Sequence, residues 1–271
     1  MTRFNRLFGR YNKLMESLST EHLKKLNLKR IYQGTYLYTH NGSKYCEENF
    51  EVLKSKEKLS LQFNCEMLSR TKKGELFQAE VSYIVNSNFI PVSVTIQKQL
   101  GKESCQEVYK FNESTNSIEY KFHNRGVVER RELKVSSKFQ ISAPTAAQSM
   151  LFILTKNFDL MNKQSCKIIR NDNKWLFKDG PYGENIIAEK ASASLRNLTV
   201  GIHKLKASPY YLYEETAHQA SNLNNISINK PNEHIIVHVS KYHSIPYLIE
   251  DRINDHRIEI TRLKNLVAEE T

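Results

Sequence analysis

The sequence predicts a mainly β (α+β) chain: a large curled antiparallel sheet or half-barrel, one buried mid-chain helix, and an N-terminal amphipathic helix. Three observations carry this reading. Apolar and polar residues alternate with a period of two through most of residues 31–264. The alternating runs are short and are separated by polar turns rich in Asn and Gly, the pattern of an antiparallel meander. One stretch, residues 145–160, breaks the period and is apolar around most of a helical circumference. The organisation that follows is a basic helical segment over 1–30 and an antiparallel β domain over 31–271. The β domain divides into lobes at 31–142 and 165–264, joined by the helix at 145–160.

The elements follow in chain order. Phe4, Leu7, Phe8, Tyr11, Leu14, Met15 and Leu18 recur at steps of three or four and form one helical stripe, with Arg3, Arg6, Arg10 and Lys13 on or beside its polar face. Ser19 is placed to cap a second short helix that runs to Asn27. From Ile31 the period becomes two. Tyr32, Gly34, Tyr36 and Tyr38 share one face, and Asn41-Gly42 is a strong hairpin signal. Further strands begin at Phe50, run from Leu59 to Met67 and from Phe77 to Val85, and resume at Ile90, Cys105, Ile118 and Val127. The meander stops at Ser142-Ala143-Pro144, and Pro144 suits the first turn of the predicted helix. Strands are expected again at Cys166–Arg170, Lys174–Lys178, Ile186, Leu198, Tyr211, Ile235, Ile245 and Arg257–Leu263, with a loop over 214–232.

Two hairpins echo each other. Val81, Tyr83 and Val85 lead through a polar turn to Ile90-Pro91; Ile235, Val237 and Val239 lead through another to Ile245-Pro246. Proline cannot donate to a ladder, so each Ile-Pro belongs at a strand start or a sheet edge.

Charge is concentrated at one end. The chain carries +11 overall, and residues 1–30 hold eight Lys/Arg against two acids. Three readings fit that segment: a helix docked on the body, a helix lying on an anionic membrane surface, and an organellar presequence. The residues for contact with a membrane or partner are Arg3, Phe4, Arg6, Phe8 and Arg10. Beyond residue 30 no dense basic block accompanies the aromatics, which argues against nucleic acid. The first 19 residues contain no apolar run of the secretory type, so the cytoplasm is the expected compartment. Four cysteines, Cys46, Cys65, Cys105 and Cys166, form no Cys-x-x-Cys pair and read as small buried hydrophobes.

The Tyr32-x-Gly34-x-Tyr36 opening strand, the hairpins at Ile90-Pro91 and Ile245-Pro246, and a mid-chain helix ending at Phe158-Asp159 together form a pattern over 31–264. It resembles a family of uncharacterised bacterial proteins built from one long curled antiparallel sheet. Its layout is similar to the half-barrels of periplasmic lipoprotein carriers and glycolipid-binding proteins. The resemblance implies an open half-barrel that binds rather than catalyses, and it carries over no catalytic residue.

Motifs for chemistry are sparse. Phosphate loop, nucleophile elbow and dinucleotide fingerprint are all absent from the sequence. His234 and His238 lie four apart in a strand pattern, about 13 Å along it, too far to share one ion. His243 and His256 approach them only through hairpin pairing. No metal and no cofactor are assigned. Glu47-Glu48 and Glu129-Arg130-Arg131-Glu132 read as charge clusters on solvated faces. The function expected is non-enzymatic binding of a lipid or other apolar small molecule in a groove between sheet and helix. Its lining would be Tyr36, Tyr38, Phe63, Met67, Tyr83, Met150, Leu154 and Phe158, and Ala143, Ala146 and Ala147 would widen the groove. Two alternatives stay open. One is a scaffold that binds a protein through sheet edges and the basic helix. The other is an enzyme using groups around Trp175, Tyr182, His203 and His218.

Overall fold

The computed structural model describes residues 28–55, 60–71, 73–136, 138–154, 163–192, 194–200, 203–215, 235–240 and 243–266. Residues 1–27 of the basic segment, Phe158, His218 and His234 lie outside the described residues, and the last three of the segment, Leu28–Arg30, open the first strand rather than a helix. Among the described residues, sixteen strands form one sheet. They are β1 (Leu28–His40), β2 (Ser43–Ser55), β3 (Leu61–Arg70), β4 (Leu76–Val85), β5 (Pro91–Leu100), β6 (Glu103–Asn112), β7 (Ser117–Asn124) and β8 (Val127–Lys134) in the first half of the chain. Then follow β9 (Phe139–Ile141), β10 (Lys163–Arg170), β11 (Tyr182–Lys190), β12 (Arg196–Val200), β13 (His203–Glu214), β14 (Ile235–Ser240), β15 (Pro246–Asp251) and β16 (His256–Asn265).

Strands β1 to β8 pair in sequence order as an antiparallel meander. The last strand, β16, pairs antiparallel with β1, so both halves of the chain belong to one sheet. From β16 the order continues through β15, β14, β13, β11 and β10 to β9, and β12 is a side hairpin on β13. The end strands β8 and β9 do not pair with each other, so the sheet curls without closing. Among the described residues no helix is long and apolar enough to cross a membrane.

Local chemistry explains the hairpins. Asn41-Gly42 and Arg125-Gly126 both have positive φ at each position, the type I′ geometry whose twist matches the flanking strands. Pro91 and Pro246 each open a strand, as their missing N–H requires. Each also faces the last valine of the preceding strand across a register shift: Val85 opposite Pro91 and Val239 opposite Pro246. The echo read in the sequence is therefore a repeated bulged hairpin.

The concave face is the core. Tyr36, Phe50, Phe63, Tyr83, Tyr109, Tyr120 and Phe122 are buried in one cluster with Phe139, Ile141, Ala146, Leu151, Ile245 and Ile260. The outward positions of the same strands are polar and bonded to one another across and along the strands. Thr35 donates to Asn49 at 2.9 Å, Asn64 to Glu51 at 3.0 Å and Gln62 to Asn64 at 2.8 Å. Period-two alternation thus separates an apolar inside from a hydrogen-bonded outside.

The mid-chain segment departs from expectation. Over the described part of 145–160 there is no α-helix. Turns lead into a single short 3-10 element at Leu151–Leu154. Its backbone bonds skip three residues: Ser149 N–H to Ala146 O at 3.0 Å and Ile153 N–H to Met150 O at 3.2 Å. One side chain takes the carbonyl that the first α-helical bond would need, and another caps the segment's leading N–H groups. Glu48 accepts the N–H groups of Ala146 and Ala147, and Gln148 Nε2 occupies the Thr145 carbonyl at 2.8 Å. The segment is a buried strap crossing the bowl. Lys174–Lys178, read as a strand, is also irregular and belongs to a loop over 171–181.

Gly34 shows how tightly the bowl is wound. A Cβ there would lie 2.5 Å from two atoms of the Phe50 ring and 2.7 Å from the Arg262 carbonyl oxygen. The bare backbone lets Phe50 lie across β1 and stack on Tyr36, with ring centroids 5.2 Å apart. Gly34→Ala is expected to lower the unfolding free energy by about 1–3 kcal/mol through overpacking, read by chemical denaturation. Adding Phe50→Leu should recover only part of the loss, because the carbonyl clash remains.

Candidate functional site

At the centre of the bowl is a carboxylate. Strand β2 alternates, so Cys46, Glu48, Phe50 and Val52 point inward while Glu47 points out and binds Lys44 at 2.6 Å. The sequence reading placed Glu47 and Glu48 together on a solvated face; the structure buries Glu48 completely. The pattern that reveals it is the parity of the strand, since Glu48 is in phase with Phe50 and Val52.

Glu48 is satisfied from two sides. Tyr38 Oη donates to it from the neighbouring strand. The strap supplies two successive backbone donors, Ala146 N–H at 2.7 Å and Ala147 N–H at 3.1 Å. Cys65 lies beside it and donates its thiol to Gln148 Oε1 at 3.5 Å. Burial dominates the electrostatics and pushes the Glu48 pKa up to about 7, opposed by the hydrogen bonds from Tyr38, Ala146 and Ala147. The same burial raises the Tyr38 hydroxyl and the Cys65 thiol well above their ordinary values.

A second inward carboxylate, Glu107, sits at the other end of β1–β8. It pairs with Lys98 and accepts from Tyr109 Oη at 2.9 Å and from Asn171 Nδ2. Asn173 Nδ2 donates to Tyr120 Oη at 3.0 Å and to the Asp179 carbonyl at 2.8 Å, so the loop over 171–181 closes on itself and on the bowl together. Trp175 and Phe177 of that loop pack against Phe77 and Phe122.

The residues expected to line a groove are placed as follows. Tyr36, Tyr38, Phe63, Met67 and Tyr83 all face the bowl in one buried cluster. Met150 is fully buried but packs in a second cluster with Phe152, Ala188, Tyr210 and Val237. Leu154 is half-buried against the first cluster. The groove itself is filled: Ala146, Ala147 and Leu151 occupy the space that the three alanines were expected to widen. Beside the strap, the cavity lined by Phe89, Ile90, Phe139, Phe152, Gln164 and Cys166 measures about 20 Å³, room for one water.

The histidines do not converge. His238 lies 3.8 Å from Glu250, and its pKa is lowered chiefly by burial. His243 is half-buried between Tyr32 and Tyr247, and desolvation pushes its pKa down to about 4. His256 stacks on His40 with centroids 4.3 Å apart. Among the described residues no three His, Cys, Asp or Glu side chains are grouped to hold a metal ion. Trp175 is turned to Phe77, whereas Tyr182 is exposed and donates to Asp172 at 3.1 Å; the His203 side chain lies outside the described residues.

The Glu48 carboxyl makes stability depend on pH with a definite sign. Its folded pKa of about 7 is above the ordinary 4.5. The stability it contributes is therefore present below pH 4.5 and is lost as pH rises through 7. Comparing urea unfolding of wild type and Glu48→Gln across that window, the wild type should lose up to roughly 3 kcal/mol that the variant does not lose.

No family model matches this chain, and no curated protein matches it. Among solved structures it is similar to a beta-barrel-like protein of a domain of unknown function, DUF1849, from Brucella abortus. The TM-score is 0.55 at 9% identity, over 87% of this chain and 98% of that one. The likeness is one of fold, a curled, mainly-β, barrel-like sheet.

Proposed function

We propose that the protein is a non-enzymatic binder of a lipid or other apolar ligand, which enters the bowl by displacing the strap. The observation that supports this is how the strap is held. Residues 145–154 contribute no strand to the sheet, and two of their backbone donors converge on one carboxylate, Glu48, whose pKa lies near neutrality. The wall behind the strap is aromatic and apolar, with Tyr36, Phe50, Phe63, Met67 and Tyr83 in one cluster. A ligand with an apolar body would replace the strap's apolar contacts at little net cost, since burial of apolar surface is non-directional. The basic segment with Arg3, Phe4, Arg6, Phe8 and Arg10 would bring the bowl to an anionic membrane surface where such ligands reside.

Opening lets water reach Glu48, whereas the closed bowl holds its proton more tightly. Higher pH therefore favours displacement of the strap. The test is solvent extraction of the purified full-length protein with mass spectrometry, followed by titration with an environment-sensitive apolar dye. A stoichiometric lipid, or dye uptake that rises about tenfold between about pH 6 and 8, supports the reading. Glu48→Gln should remove that pH dependence. Absence of both lipid and dye uptake, in wild type and variant alike, overturns it.

A further inference from the structure

The two ends of the sheet are finished differently. At one end β9 is three residues long and buried, and its Ile141 N–H donates to Tyr83 Oη at 3.0 Å. At the other end β8 is eight residues long, pairs among the described residues with β7 alone, and is exposed, Val127 at 60% and Val128 at 44%. A long open edge is a template for another strand.

The Arg125-Gly126 turn decides which groups that edge presents. In a two-residue type I′ hairpin the flanking residues, here Asn124 and Val127, exchange both backbone hydrogen bonds. Residues 127, 129, 131 and 133 therefore face β7. The backbone N–H and C=O groups of Val128, Arg130, Glu132 and Lys134 point away from the sheet. The Arg130 carbonyl accepts Arg131 Nη1 at 2.8 Å, which leaves its second lone pair for a neighbouring strand.

We propose that this edge pairs antiparallel with the β8 edge of a second copy of the chain, with Arg131 on the two-fold axis. In that register Arg130 faces Glu132 of the second copy and Glu132 faces its Arg130, so both outward charge pairs are complementary. Val128 faces Lys134, and all four outward-pointing residues exchange bonds. Arg131, at the axis, faces Arg131 of the second copy; each is held over the Phe177 ring of its own protomer, 4.9 Å from the centroid, and lies diagonal to Glu129 of the other. Moving the axis to Arg130 also sets one arginine opposite its copy, exchanges the Arg130–Glu132 pairs for Glu129–Arg131 pairs, and leaves fewer ladder bonds. The number of ladder bonds therefore selects this register of a self-complementary, two-fold contact, and the outward charges complement it.

The contact is confined to one strand, so the dimer is weak, dissociating at about 10–100 µM. Sedimentation of the full chain across that range should show the mass rising from 31.6 kDa toward twice that value. Arg130→Glu and Glu132→Arg should each leave a monomer, whereas their equimolar mixture restores opposite charges at both facing positions and should dimerise. Glu132→Pro removes an outward N–H without touching the bonds to β7 and should also leave a monomer; if it fails to fold, the two charge variants carry the test. A wild-type protein that stays monomeric, or a dimer that survives in folded Glu132→Pro, overturns the proposal. Dimerisation of either charge variant on its own overturns the register.

Discussion

A carboxylate facing an apolar interior must be given donors, and that requirement organises the molecule. Strands β1–β8 carry two such groups, Glu48 and Glu107. Each takes one partner from a neighbouring strand, Tyr38 for Glu48 and Lys98 for Glu107. Neither is completed by the meander alone. Glu48 draws in the backbone of Ala146 and Ala147, and Glu107 draws in Asn171. All three donors arrive from beyond β8. An unpaired buried charge costs several kcal/mol, so the meander is satisfied only when the following chain has crossed its concave face.

The inward tyrosines apply the same logic more weakly. Phenylalanine would fill the bowl as well, but tyrosine adds a hydroxyl that needs a partner when buried. Tyr36 donates to the Pro246 carbonyl at 2.7 Å, a bond between walls 210 residues apart in sequence. Tyr83 donates to Gln140 Oε1 at 2.8 Å and accepts the N–H of Ile141, which ends β9 inside the bowl. These bonds set where the second half of the chain sits. They also explain how a sheet can curl without closing, since its inner end is terminated by side chains instead of by a neighbouring strand.

Most of the sheet was legible in the sequence because a strand with one buried face writes its period directly into the residues. Asn41-Gly42, Pro91 and Pro246 marked turn and strand starts for reasons of backbone chemistry that tertiary context does not override. The β1–β16 pairing was not legible, because register between distant strands leaves no local trace. The strap was misread for a different reason. Ala146, Met150, Leu151 and Leu154 are apolar around a helical circumference, but a segment buried on all sides has that composition whatever its backbone does. Its conformation is set by Glu48 and Gln148, one of them nearly a hundred residues away. Glu48 was hidden by its neighbour: two adjacent glutamates suggest a solvated cluster, and only strand parity separates them. The loop over 171–181 alternates like a strand, with Trp175 and Phe177 in phase, yet those rings serve as a cap on the bowl.

The similarity in fold at 9% identity is consistent with how little this architecture asks of individual residues. An inward apolar face, an outward polar face and well-formed turns are enough to generate a curled meander, and many sequences meet those terms. What is particular to this chain lies in the positions that break the pattern. An inward Glu48, a Gly34 on which no side chain fits, and a β8 edge left open with alternating charge are each unfavourable as generic sheet design. The first is met by the strap and the second by the Phe50 ring. The third has no counterpart within the described residues, and its outward charges are arranged so that the same strand, turned about a two-fold axis, can supply one.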